Sequence, residues 1–207
     1  MINDLNAEVI TLFRILQRHY EAFMDMLRWQ ISSRDHFLRL HRALPETLTD
    51  LERAARFLYL QRLTFSGKVG SRSFGVSPTH PGRFDVTKLA SMLEAMHERL
   101  AGVVIERLPY PQLIERYDRP GTLFYLDPPY WGCEDYYGDG MVSPADFAAL
   151  ATILRGLKGR FMLSLNDLPE VRQTFEGFHM TEVTVTYFAN SRSNNKRAAE
   201  LLISNAG

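Results

Sequence analysis

Four consecutive residues, Asp127, Pro128, Pro129 and Tyr130, bring together a carboxylate, two locked backbone units and an aromatic ring. They fit one reaction, the transfer of a methyl group to an exocyclic amine of a nucleobase. Such an amine is a poor nucleophile because its lone pair is delocalised into the ring. Its hydrogens must be held by acceptors while the nitrogen becomes more tetrahedral. Asp127 offers a carboxylate oxygen. Pro128 offers a carbonyl, and proline's missing N–H and fixed φ make that carbonyl an oriented, uncontested acceptor. Tyr130 adds a ring face on which a base can stack. The plain alternative is a strand closed by Asp-Pro, a frequent turn dipeptide.

Position decides between these. The motif follows Thr122-Leu-Phe-Tyr-Leu126, an apolar run of strand-forming residues, and precedes a loop holding Trp131, Gly132, Gly138 and Gly140. In an open α/β sheet, ligands sit at the carboxyl ends of the strands, so this placement favours a site. Upstream, Val9, Leu12, Phe13, Leu16, Tyr20, Phe23 and Leu27 keep helical spacing and predict one amphipathic helix capped by Asn6. A second helix is expected from Arg34 to Leu44, stopped by Pro45, and Thr49-x-x-Glu52 reads as the capping box of a third. Residues 66–84 change character: Gly67, Gly70, Gly75 and Gly82 interrupt Ser, Lys, Arg and Pro, which predicts a β-hairpin or extended loop. A helix from Val86 to Leu100 and a strand over Val103–Ile105 follow, then Pro109-Tyr110-Pro111 and a short helix through Leu113 and Ile114. Beyond the motif, Ser143-Pro144 starts a helix, and strands are expected at Phe161–Leu165, Met180–Phe188 and Leu201–Ile203. A polar loop, Asn190 to Lys196, joins the last two.

The 207 residues, 45% hydrophobic, suffice for one α/β domain with an elaboration. Lys+Arg 24 balance Asp+Glu 24, so nucleic-acid contact requires local segregation of charge. Between Arg62 and Lys88 the charges are Arg62, Lys68, Arg72, Arg83 and Lys88 against Asp85 alone. This stretch reads either as a phosphate-contacting surface or as a solvated loop. One cysteine, Cys133, permits no internal disulfide and fits a reducing, cytoplasmic setting, and no apolar run is long enough to span a bilayer. With Pro-Pro-Tyr in the catalytic position, Cys133 reads as incidental. The six histidines show no metal-ligand spacing, so no metal is expected.

The four residues resemble the catalytic motif of amino-methylating DNA methyltransferases, and the chain resembles the Dam-type (D12 class) adenine-specific family. The matches run from Asn3-Asp4-Leu5-Asn6 through Phe57-Leu-Tyr-Leu60 and Phe65-Ser-Gly67 to Glu200-Leu-Leu-Ile-Ser-Asn205. The resemblance implies an α/β, Rossmann-like sheet dependent on S-adenosylmethionine, with a helical and hairpin insertion that recognises double-stranded DNA. By it, residues 1–30 and 101–207 form the catalytic core and residues 31–100 the target-recognition region. Asp4 would accept from the ribose hydroxyls of the cofactor, Tyr110 would hold its adenine, and Asp127 would serve both cofactor and catalysis. Lys68, Arg72, Ser73 and Arg83 would reach DNA. Two of these readings have structural competitors: Asp4 can simply favour a helix N-terminus, and Tyr110, preceded by Pro109 where the family usually has Asp, can be a half-buried structural ring.

The family's Gly-rich segment, Phe-x-Gly-Gly-Gly, has no counterpart here, which leads us to expect an N-terminally truncated sheet with an unpaired edge beside Asp127. On that expectation the chain alone binds S-adenosylmethionine poorly, does not methylate DNA and self-associates, or works with a missing N-terminal fragment. Two other classes stay open: a DNA-binding remnant without transfer activity, and a methyltransferase acting on RNA or a protein amide.

Overall fold

In the computed structural model, residues 1–64, 74–75, 84–132, 143–188 and 195–205 are described. They form a mixed α/β chain with two compact units, Met1–Pro109 and Tyr110–Gly207.

The first unit begins with strand β1 (Ile2–Asn3), which pairs in parallel with β2 (Ile105–Glu106). Helix α1 (Ala7–Arg18) follows, and Asn6 caps it by accepting from the Glu8 N–H at 2.9 Å. The single helix expected over Val9–Leu27 is in fact two, because His19 leaves the helical region at φ −134°, ψ 36° and α2 (Tyr20–Arg28) starts anew. Tertiary contacts on either side account for the break. Gln17 donates to the carbonyls of Leu100 and Val103 (2.7 and 2.8 Å), and Tyr20 stacks on His97 at 4.9 Å. Helix α3 (Arg34–Arg42) ends two residues earlier than expected. Leu44, which precedes proline, is held extended at ψ 121°, and Ala43 is extended as well.

The capping box of Thr49 and Glu52 is present and starts α4 (Asp50–Leu63), the centre of this unit. Ala54, Ala55, Tyr59, Leu60 and Leu63 of α4 are buried against Leu16, Phe23, Leu27 and Phe37. Arg53 pairs with Glu8 across α1 and α4, and the Arg56 guanidinium donates to the Leu40 carbonyl at 2.7 Å. Helix α5 (Val86–Leu100) has the predicted bounds and is capped by Asp85, which accepts from the Thr87 N–H. The strand expected at Val103–Ile105 starts later, because the Val103 N–H closes a turn onto Leu100 and Gly102 takes φ 73°.

The second unit opens with α6 (Tyr110–Tyr117) and β3 (Leu123–Leu126). Helix α7 (Pro144–Arg155) carries a capping box of Ser143 and Asp146. Strand β4 (Arg160–Asn166), helix α8 (Pro169–Thr174) and strands β5 (His179–Phe188) and β6 (Asn195–Ser204) complete it. The sheet order is β3-β4-β6-β5, with β3 and β4 parallel and the other pairs antiparallel. Asn195 and Lys196, expected in a loop, extend the last strand by pairing with Phe188 and Tyr187.

A second core, among it Phe124, Phe147, Leu150, Phe161, Leu163, Leu165, Val171 and Leu201, fills one side of this sheet. On β3, Leu123 and Tyr125 are 60% and 64% exposed, and Met162, the register partner of Tyr125, is 38% exposed. The connection from β3 back to β4 fits only glycine at position 159. A Cβ there would lie 2.6 Å from the Thr122 carbonyl oxygen. Among the described residues no helix is long and apolar enough to cross a membrane.

Candidate active site

The motif begins where the ladder of β3 ends. Leu126 is the last residue paired with β4, through Leu163, and Asp127 follows at the strand's carboxyl end. Pro128, Pro129 and Tyr130 continue from it and are half-buried. Proline cannot donate to a ladder, so a Pro-Pro pair both stops the strand and leaves its carbonyls for other partners. Asp127 keeps an exposed surface. Loss of hydration around its carboxyl, and then the charge of Glu200, nonetheless hold its pKa above the usual aspartate value. Glu200 lies on β6 and is only 6% exposed.

The exit from the motif is held by a residue that sequence reasoning passed over. Asn166, the last residue of β4, accepts from the Trp131 backbone N–H and donates from Nδ2 to the Trp131 carbonyl, both at 3.0 Å. One amide side chain thus grips both polar groups of the residue after Tyr130. Because Trp131 N belongs to the peptide that carries the Tyr130 carbonyl, the same grip fixes that peptide plane. The indole of Trp131 stacks on Phe147 of α7 at 4.9 Å and 27°. Asn166 also stands directly opposite Glu200 in the β4–β6 register. The available signal was a polar residue at the point where the buried run Phe161–Leu165 stops, on the strand beside the motif.

Tyr110 opens α6 in the same unit. Its hydroxyl donates to the Asp146 carbonyl at 3.2 Å, and burial, then the charge of Asp146, raise its pKa. The ring packs beside the second core, so its structural use is evident. Asp4 belongs to the first unit, just after β1, and is exposed. Its Oδ1 accepts from the Asn6 N–H at 2.7 Å, which orients the side chain and leaves Oδ2 as an acceptor. A carboxylate so held suits a pair of ribose hydroxyls, and equally it supports the start of α1. The structure therefore brings Tyr110 and Asp127 through Tyr130 into one unit and Asp4 into the other. Lys68, Arg72, Ser73 and Arg83, residues 66–73 and 76–83 of the expected hairpin, Cys133 and residues 190–194 of the polar loop lie outside the described residues.

Three comparisons bear on this arrangement. The family model for D12 class N6 adenine-specific DNA methyltransferases matches residues 1–188. The chain is similar to the type II methyltransferase M.CviBI of Paramecium bursaria Chlorella virus NC1A, with 21% identity over 189 residues, 90% of this chain and 72% of the relative. It is also similar to the type II methyltransferase M1.LlaDCHI of Lactococcus lactis subsp. cremoris, with 26% identity over 228 residues, 100% of this chain and 79% of the relative.

Proposed function

The chain belongs to the D12 class of N6 adenine-specific DNA methyltransferases, and on that premise we propose that Asp127, Pro128, Pro129 and Tyr130 form its catalytic motif. The observation that carries this reading is the placement of the motif at the carboxyl end of β3, with its exit tied down by Asn166. Asp127 and the Pro128 carbonyl accept the hydrogens of the adenine amine, and Tyr130 stacks on the extruded base. A carboxylate whose pKa is raised is the stronger acceptor, so the desolvation of Asp127 and the nearby charge of Glu200 serve this task. Asn166 acts at one remove, by holding the Tyr130–Trp131 peptide in the orientation the motif needs.

S-adenosylmethionine, the methyl donor of this family, would supply an electrophilic methyl sulfonium. Asp4, with one oxygen still accepting, fits its ribose, and Tyr110 offers a partly buried ring beside its adenine. By task rather than by packing, we read residues 1–30 with 101–207 as the catalytic part. Residues 31–100 then form the part that recognises double-stranded DNA, with Lys68, Arg72, Ser73 and Arg83 on the DNA. We place the work in the cytoplasm because the sequence holds a single cysteine. The exposed Leu123, Tyr125 and Met162 favour association through β3, either of two copies or with a complementing fragment.

Incorporation of labelled methyl into duplex DNA tests the catalytic reading. Asp127→Ala should abolish it in the active enzyme without lowering the melting temperature, and surviving transfer would remove Asp127 from the chemistry. Methylation of RNA or of a protein amide in place of DNA would instead overturn the substrate.

A further inference from the structure

The connection between α2 and α3 presents an indole to solvent for no structural reason. Trp29 is 80% exposed and Ile31 71% exposed, although burying a side chain such as Ile31 stabilises a fold by roughly 1.5–3 kcal/mol. The loop is not slack. The Gln30 N–H donates to the Leu27 carbonyl at 3.1 Å, and the hydroxyl of Tyr59, which is fully buried, donates to the Ile31 carbonyl at 2.8 Å and accepts from the Ser33 N–H at 3.1 Å. Ser33 caps α3 through the His36 N–H, and Ser32 Oγ donates to the Phe84 carbonyl at 3.3 Å. A backbone pinned at each of these points holds Trp29 and Ile31 outward.

The chain beside them is rich in cations. From Arg28 to Arg42 the charged residues are four arginines against Asp35 alone, and of these Arg28 is ion-paired with Asp25 at 3.1 Å. Arg28, Arg34, Arg39 and Arg42 are all exposed. The same surface adjoins the basic stretch at Phe74 and Phe84. Phe74 packs edge-on against Phe37 with the Arg34 guanidinium 5.0 Å above its ring, and Phe84 lies 4.8 Å from the ring of Tyr59. Aromatics with arginine also mark protein–protein contacts, but an excess of cations beside the basic Arg62–Lys88 stretch matches the π-faces and phosphates of nucleic acid.

We infer that the Trp29–Ile31 loop and the arginines of α3 form a second DNA contact beside the recognition stretch, with Trp29 against bases of the distorted duplex and the arginines on its phosphates. The inference rests on the reading of duplex DNA as substrate. It assigns to DNA a surface outside the Arg62–Lys88 stretch.

The chain contains two tryptophans, so Trp131→Phe leaves Trp29 as the sole indole. Titrating that protein with a synthetic mixed-sequence duplex should quench its emission, with a midpoint that rises steeply with salt. Trp29→Ala in the full chain should weaken duplex binding about 5- to 150-fold, the span that ~1–3 kcal/mol of stacking converts to at 1.36 kcal/mol per decade. Trp29→Phe should restore most of the affinity, and the melting temperatures should match because the side chain is exposed. Unchanged affinity in Trp29→Ala, or an unquenched indole at saturating duplex, would overturn the inference while leaving the substrate reading intact. An indole emission that shifts with protein concentration alone would mean that a second copy covers the surface, and would overturn it too. Failure of the unsubstituted chain to bind any duplex would overturn both readings.

Discussion

Replacing Asn166 with alanine removes the donor and the acceptor that hold Trp131, each at 3.0 Å. A typical intramolecular hydrogen bond contributes a net ~0.5–1.5 kcal/mol, so losing both costs about 1–3 kcal/mol. Trp131 is only half-buried and Gly132 is exposed, so water can take over part of each bond, which favours the lower part of that range, about 1–2 kcal/mol. If the cost falls on the productive conformation of the motif, the turnover number should drop roughly 5- to 30-fold at 1.36 kcal/mol per decade. KM for DNA should move much less, because Asn166 holds the motif's own backbone. If the cost were wholly global, it would lower the melting temperature by about 2–4 °C per kcal/mol in a chain of this size. Asn166→Asp sharpens the test. It keeps an acceptor for the Trp131 N–H, sets a second acceptor against the Trp131 carbonyl, and places a carboxylate directly opposite Glu200, an arrangement that destabilises cross-strand pairs. The assay is labelled-methyl incorporation at saturating DNA and cofactor, with a thermal melt of each variant. A turnover number equal to wild type in Asn166→Ala would refute the positioning role, and equal losses in turnover, KM and melting temperature would reduce it to scaffolding.

Further expectations concern charge and surface. The carboxyl of Asp127 has a folded pKa above its unfolded value, so its ionisation opposes folding and stability should rise as pH falls through the folded pKa toward the unfolded one. Asp127→Asn should therefore melt higher than wild type at neutral pH and lose that advantage on acidification, as thermal melts across pH would show. Neutralising Lys68 and Arg72 together should weaken duplex binding and flatten its dependence on salt, because fewer counterions are released, and an unchanged salt slope would move the phosphate contacts elsewhere. Introducing lysine at Leu123 or Tyr125 should reduce concentration-dependent association in sedimentation, since a charge on an exposed edge blocks strand addition.

What could be read in advance was local. The bounds of α5 followed from Leu89, Leu93, Met96 and Leu100, and the Thr49–Glu52 pair announced α4, because both signals lie within a few residues of the structure they specify. The break at His19 was hidden, since apolar spacing runs unbroken through it while its causes, His97, Leu100 and Val103, lie about eighty residues downstream along the chain. The chemistry proposed for Asp127 through Tyr130 came from the residue types, whereas the support of that motif was not visible in them. Asn166 and Trp131 are 35 positions apart, and only the adjacency of β3 and β4 brings them together. Glu200 stood just before the strand expected at Leu201–Ile203, and its burial becomes apparent only once β4 and β5 flank β6.

The two apolar clusters, one built from Leu12 to Leu100 and the other from Ile114 to Ile203, share no residue among those described. Side chains without a common packing partner respond to substitution independently, and their effects on stability add. Phe37 and Tyr59, whose rings meet Phe74 and Phe84, belong to the first cluster, whereas Phe124 of β3 and Phe147, which stacks on Trp131, belong to the second. Repacking the first cluster therefore touches both proposed parts, since Leu12, Leu16, Phe23 and Leu27 belong to it, but it leaves the packing around Phe124 and Phe147 unchanged. A crossover between Pro109 and Tyr110 would carry each cluster intact, with Asp4 going with the first and Asp127 through Tyr130 with the second.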